Sequence, residues 1–149
     1  GDDVLLFQTM FGPFKAASIA FGDDVLMKYS KEAPEAVRAG IQKLADGLEA
    51  WAEAYLDEIG ITEMFDRIVC ANMVENGKPM PDIYLYACDQ IGVKAEACVA
   101  VEDSPNGVKS AYGAGCRVVM IPDLTLPDEE TKGYLWKQVE KMNDLQQIL

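Results

Sequence analysis

Two acids in succession, Glu102 and Asp103, close the apolar run Ala97-Cys98-Val99-Ala100-Val101 and lead into Ser104-Pro105-Asn106-Gly107. A short, unbroken apolar run predicts a strand buried on both faces, and the Ser-Pro-Asn-Gly after it predicts the turn that starts a helix. Two carboxylates then stand at the carboxyl end of a buried strand. Open parallel α/β sheets bind ligands at that edge, because loops line a crevice there and helix N-termini face it. A plainer reading stays open: Asp103 or Ser104 caps the next helix, with Pro105 in its first turn. Upstream, Gly77-Lys78-Pro79-Met80-Pro81-Asp82 sets a lysine in a proline-stiffened loop. Either its amine is directed by that loop, or it is an ordinary solvated charge. The chain has no histidine, which excludes Ser-His and Cys-His nucleophile pairs and leaves carboxylates, lysine or a metal to do any chemistry.

The elements that would position these residues follow from the pattern around them. Phe65 to Cys70 predicts a strand, Asp82 to about Gly92 a helix, Val108 to Gly115 a short helix, and Cys116 to Asp123 another buried strand. From Phe65 to Asp123 this alternation is βαβαβ, hence an α/β fold with a parallel sheet and right-handed crossovers. Between Glu35 and Gly60 apolar residues recur at helical steps, with a break at Asp46-Gly47 that predicts two abutting helices. Phe7, Met10, Phe11 and Phe14 also have helical spacing, interrupted by Gly12-Pro13, although Val4 to Gln8 begins like a strand. Tyr134, Leu135, Val139, Met142, Leu145 and Ile148 predict a C-terminal helix that docks on the core.

With 149 residues the chain is about one domain in size, large enough for a real core. A net charge of -12 argues against nucleic acid and anionic membrane as partners, since phosphate backbones are bound by clustered Lys and Arg. No apolar run approaches the roughly 20 residues that span a bilayer, and the chain reads as a cytoplasmic protein and a monomer. Cys70, Cys88, Cys98 and Cys116 are widely spaced, which reads as reduced core thiols instead of a zinc site.

Gly77-Lys78-Pro79-Met80-Pro81-Asp82 followed by Val101-Glu102-Asp103-Ser104-Pro105-Asn106-Gly107 resembles the haloacid dehalogenase-like hydrolase superfamily, in its β-phosphoglucomutase and sugar-phosphatase branch. The likeness runs from about Ala54 to Asp123. It implies a three-layer, Rossmann-like parallel sheet with a small α-helical cap. Residues 1–33 would be the cap-like segment and 34–149 the α/β core. It implies Mg²⁺-dependent phosphoryl transfer, by a phosphatase or phosphomutase, on a small phosphorylated metabolite. Asp103 and Glu102 would be the metal ligands, Lys78 the catalytic cation that neutralises nucleophile and phosphate charge, and Ser104 and Asn106 the supports of the acidic turn. The physics fits: Mg²⁺ takes hard oxygens and few protein carboxylates, and adjacent acids at a buried strand end repel unless a cation offsets them.

Two parts of the family pattern are not found. The first strand of the family ends in D-x-D-G, which supplies the aspartyl nucleophile and the general acid/base, but here Gln8 stands where an acid is wanted. No Ser or Thr lies between Ser30 and Thr62, where the family's phosphate-binding hydroxyl is expected. The family's first and second strands would lie between the other strands of its sheet, so the chain is expected to be part of a longer protein, with segments absent before Gly1 and near Asp46-Gly47. Alone it is expected to be inactive, the alternative being a non-catalytic or truncated domain that binds phosphate or a protein partner.

Overall fold

Val99 to Glu102 is buried along its whole length, and a strand with no wet face needs a neighbour on each edge and a layer on each side. The computed structural model describes residues 6–8 and 22–148 and supplies both. In chain order the sheet strands are β1 (Leu6–Gln8), β2 (Val99–Glu102), β3 (Arg117–Met120) and β4 (Lys137–Gln138). They form one parallel sheet in the order β1-β2-β3-β4. Register sets Leu6 against Val99, Gln8 against Val101, Val99 against Arg117 and Glu102 against Met120.

Among the described residues the chain divides into two units, 6–8 with 74–148, and 22–73. The expected domain boundary, between residues 33 and 34, falls within the second of these units. Two helices, α1 (Asp23–Glu32) and α2 (Pro34–Glu58), lie on either side of that point and pack on each other. The expected break at Asp46-Gly47 is not there: α2 is continuous. A mid-helix glycine costs only about 1 kcal/mol relative to alanine, and the surrounding Ala, Leu, Glu, Gln and Lys residues favour the helix. Residues 9–21, with the expected Gly12-Pro13 break and most of the cap-like aromatic stretch, lie outside the described residues.

The strand expected at Phe65 to Cys70 is not formed. The segment is irregular between two 3₁₀ turns, Thr62–Met64 and Ala71–Met73, and Phe65, Asp66 and Arg67 are exposed. β-Formers make a strand only when a ladder receives their N–H and C=O groups, and no strand of the described sheet pairs with this segment. Conversely, a first strand beside β2 is present as Leu6–Gln8, which corrects the expectation that it is missing.

Residues of α3 (Asp82–Ile91) and α4 (Pro105–Ala114) cover one face of the sheet, where Tyr84, Cys88, Val108 and Ala111 pack with Ala100, Val118 and Met120. On the other face Val99, Val101 and Val119 pack with Leu145. Alternate residues of β2 and β3 therefore feed two cores, the signature of a sheet covered on both sides. The expected C-terminal docking helix is corrected to three pieces: α5 (Glu129–Lys132), β4, and a 3₁₀ segment, Met142–Gln147, that carries Leu145. After α5 turns at Gly133, the backbone of Trp136 and Val139 bonds to Val118 and Met120 of β3, so a sheet edge claims residues whose spacing suggested a helix. Among the described residues no helix is long and apolar enough to cross a membrane.

Candidate functional site

The site is built where β2 ends. Glu102 is the last residue of the strand and its side chain is completely buried, while Asp103, the next residue, is exposed in the bend that leads to α4. Ser104 is the N-cap of α4, its Oγ accepting a hydrogen bond from Gly107 N–H at 3.2 Å, and Pro105 occupies the first turn. The two readings of the acidic turn thus separate by residue. Ser104 is the cap, and Asp103 is left with its carboxylate facing solvent at the strand end. Asn106 is exposed on the first turn of α4 and makes no hydrogen bond to the acidic turn among the described contacts.

Lys78 reaches this corner from the other side. Its Nζ lies 2.6 Å from Glu102 Oε1, with about a quarter of the lysine side chain exposed. The loop that carries it is closed on itself. Met80 N–H donates to the Gly77 carbonyl at 3.1 Å, and the Asn76 side-chain amide donates to Asp82 Oδ1 at 2.8 Å. It is also tied to α4, where the wholly buried Ser110 donates from Oγ to the Met80 carbonyl at 2.6 Å. The loop sets where Lys78 leaves the backbone, and its amine is paired with Glu102 instead of standing free in solvent. Ser110→Ala removes a donor from that carbonyl and is expected to cost about 1–2 kcal/mol of stability. A urea unfolding midpoint equal to that of the unmodified protein would show that the loop is held without it.

Two residues that composition and spacing left unremarked complete the corner. Tyr84, two residues into α3 and 3% exposed, donates its hydroxyl to Glu102 Oε1. Its pKa stands well above the usual tyrosine range, first because of burial and then because of the Glu102 charge and hydrogen bond. Gly107 packs so closely on Glu102 that an added Cβ would overlap the carboxylate. The only sequence signal for either was position: a polar aromatic on the apolar face of a helix directly after the lysine loop, and a glycine one turn after the acids.

The cysteines take no part. None of the four forms a disulfide, and Cys88, Cys98 and Cys116 are buried together beneath the sheet. Burial pushes Cys98 up to about 11 and Cys116 up to about 12, so neither is a thiolate at neutral pH.

As a place for a divalent cation the corner offers the exposed oxygens of Asp103. Glu102 is enclosed by Lys78, Tyr84 and Gly107. Among the described residues no three Cys, Asp or Glu side chains are grouped to hold a metal. That donor set fits Mg²⁺, which is bound through one or two carboxylates and completes its shell with water and phosphate oxygens.

Comparison with known proteins agrees with the fold. A family profile described as haloacid dehalogenase-like hydrolase matches residues 15–115, and the chain belongs to that family. A probable pseudouridine-5'-phosphatase of Drosophila melanogaster is 48% identical over 73 residues, which is 46% of this chain and 32% of that protein. The crystal structure of CbbY from Rhodobacter sphaeroides in complex with phosphate is 38% identical, with a TM-score of 0.51 over 57% of this chain and 37% of that one. A family IA hydrolase from Entamoeba histolytica has the same fold over 92% of this chain and 75% of its own, with a TM-score of 0.55 and 21% identity. The chain spans about a third of the length of the curated Drosophila relative.

Proposed function

We propose that the protein serves Mg²⁺-dependent phosphoryl transfer, as a phosphatase or phosphomutase acting on a small phosphorylated metabolite. The observation that carries this reading is the corner itself: a directed lysine and a buried glutamate meeting at the end of a parallel strand, with an exposed aspartate one residue further on. The relative named a phosphatase and the phosphate-bound CbbY structure support the substrate class.

Asp103 would hold Mg²⁺, which when bound supplies positive charge to a phosphoryl group. Glu102 holds Lys78, and through it the amine is kept at the strand edge, available to offset phosphate charge as it develops. Ser104 fixes the turn by capping α4 through the Gly107 N–H. Asn106, exposed on that turn, is a candidate for substrate contact. Substrate choice would be made in the segment proposed as cap, residues 1–33, of which 22–33 lie in the helical unit.

Gln8 favours a second reading for the chain by itself. It closes β1 in register with Val101, one residue before Glu102, and an amide does not attack phosphorus. Without an aspartyl nucleophile the corner binds phosphate and Mg²⁺ but does not turn over. The full-length protein is expected to hydrolyse an aryl phosphate only when Mg²⁺ is present. Asp103→Ala abolishes this, and Lys78→Ala lowers kcat by about 100-fold, the scale of one preorganised charge-stabilising group. Hydrolysis that neither substitution changes refutes the site. The chain at 1–149 is expected to show no turnover.

A further inference from the structure

Lys78 has a flexible four-carbon stem, and a stiff loop fixes its Cα without fixing its amine. What the amine meets decides where it stays, and that is Glu102 Oε1 at 2.6 Å. The position of this oxygen is set by its buried neighbours. The Glu102 side chain is fully buried, so no water competes for it, and a buried carboxylate is held by the donors that reach it. On one side the carboxylate fills the space that a Cβ on Gly107 would occupy. On the other, the hydroxyl of Tyr84 donates to the same Oε1 that receives the lysine.

Tyr84 is well suited to serve as a fixed post. Its ring is packed with Cys88, Ala100, Val108 and Met120 in the core, and a tyrosine has only two side-chain torsions to lock. The ring also lies under the amine, with Lys78 Nζ 5.6 Å from its centroid, within cation–π range. Helix α3 begins at Asp82, so the lysine and the tyrosine belong to one continuous segment and grip one oxygen of β2 together.

We propose that Tyr84 is a positioning residue for Lys78: by donating to Glu102 Oε1 from the core, its hydroxyl holds the oxygen that anchors the lysine amine at the end of β2. The inference deepens the proposed phosphoryl-transfer reading, but its test needs no turnover. Tyr84→Phe keeps the ring and removes the hydroxyl, and Tyr134→Phe makes the same change at a hydroxyl that donates to Glu130 on the exposed surface.

Brief acetylation with acetic anhydride, followed by peptide mass spectrometry, reads the exposure of each amine, with the exposed Lys94 as internal reference. In Tyr84→Phe the Lys78 rate relative to Lys94 is expected to rise about tenfold, the factor for losing one hydrogen bond to a charged group. In Tyr134→Phe it stays within twofold of the unmodified protein. A Lys78 rate that stays within twofold in Tyr84→Phe overturns the proposal, even if the melting temperature falls, because Tyr84 then only fills space. A rise shared equally by Lys78 and Lys94 overturns it as well. Failure of Mg²⁺-dependent hydrolysis refutes the phosphoryl-transfer reading and leaves the labelling result as it stands.

Discussion

Gly107→Ala is expected to destabilise the protein by about 3 kcal/mol or more, the upper range for forcing extra volume into a packed site. Local propensity predicts the opposite, because alanine is better than glycine inside a helix by about 1 kcal/mol. The sign is decided by Glu102. A Cβ at position 107 would overlap its carboxylate, and although that group ends a flexible side chain, it is buried and held by Lys78 and Tyr84. Relief requires either breaking those bonds or shifting the start of α4 away from its Ser104 cap. Gly113→Ala is the matched control on the same helix. Its Cβ would meet only Pro81 Cβ at an ordinary 3.6 Å, so that change is expected to be neutral or to stabilise by up to about 1 kcal/mol. Urea unfolding of the two variants checks this. Similar midpoints would mean that the close approach of Gly107 to Glu102 is not a constraint.

Lys78→Met is expected to cost about 3 kcal/mol, the low end for removing one partner of a buried pair. The low end applies because a quarter of the lysine side chain is exposed and Tyr84 remains bonded to the carboxylate left behind. Glu102→Gln is expected to cost less, about 1–2 kcal/mol. There the orphaned charge is the lysine, which reaches water, and the amide oxygen still accepts from Tyr84. The double variant is expected to lose about 1–2 kcal/mol less than the sum of the single changes, the coupling of two groups in direct contact. Equal costs for the two single changes would show that unequal burial does not govern the pair.

Much of this site was legible before any coordinates. An apolar run ending in Glu102-Asp103, followed by Ser104-Pro105, carries its own strand, turn and helix cap. Pro79 and Pro81 mark Lys78 as a residue on a constrained loop. These are local facts: each depends on torsional limits and burial preferences within a few residues, and the parallel sheet, the α4 cap and the placing of the two motifs at one strand end agree with them.

Where the reading and the structure differ, a distant partner decided. Phe65 to Cys70 has strand-like residues but no ladder to join, whereas Leu6 to Gln8 becomes a strand because β2 receives it. The spacing of Tyr134 to Ile148 suits a helix, yet the open edge of β3 draws Lys137 and Gln138 into the sheet. Gly47 is a breaker taken alone and is carried through by the helix around it.

By itself the sequence determined the residue types at the site and the local elements on which they ride, because those follow from short-range sterics and burial. Only the tertiary structure decided that Tyr84 and Lys78 would share one oxygen of Glu102 above Gly107. That convergence joins the lysine loop and α3 to β2 across 18 to 24 residues of chain, and it exists only once the packing of a shared core has brought them to within hydrogen-bond distance.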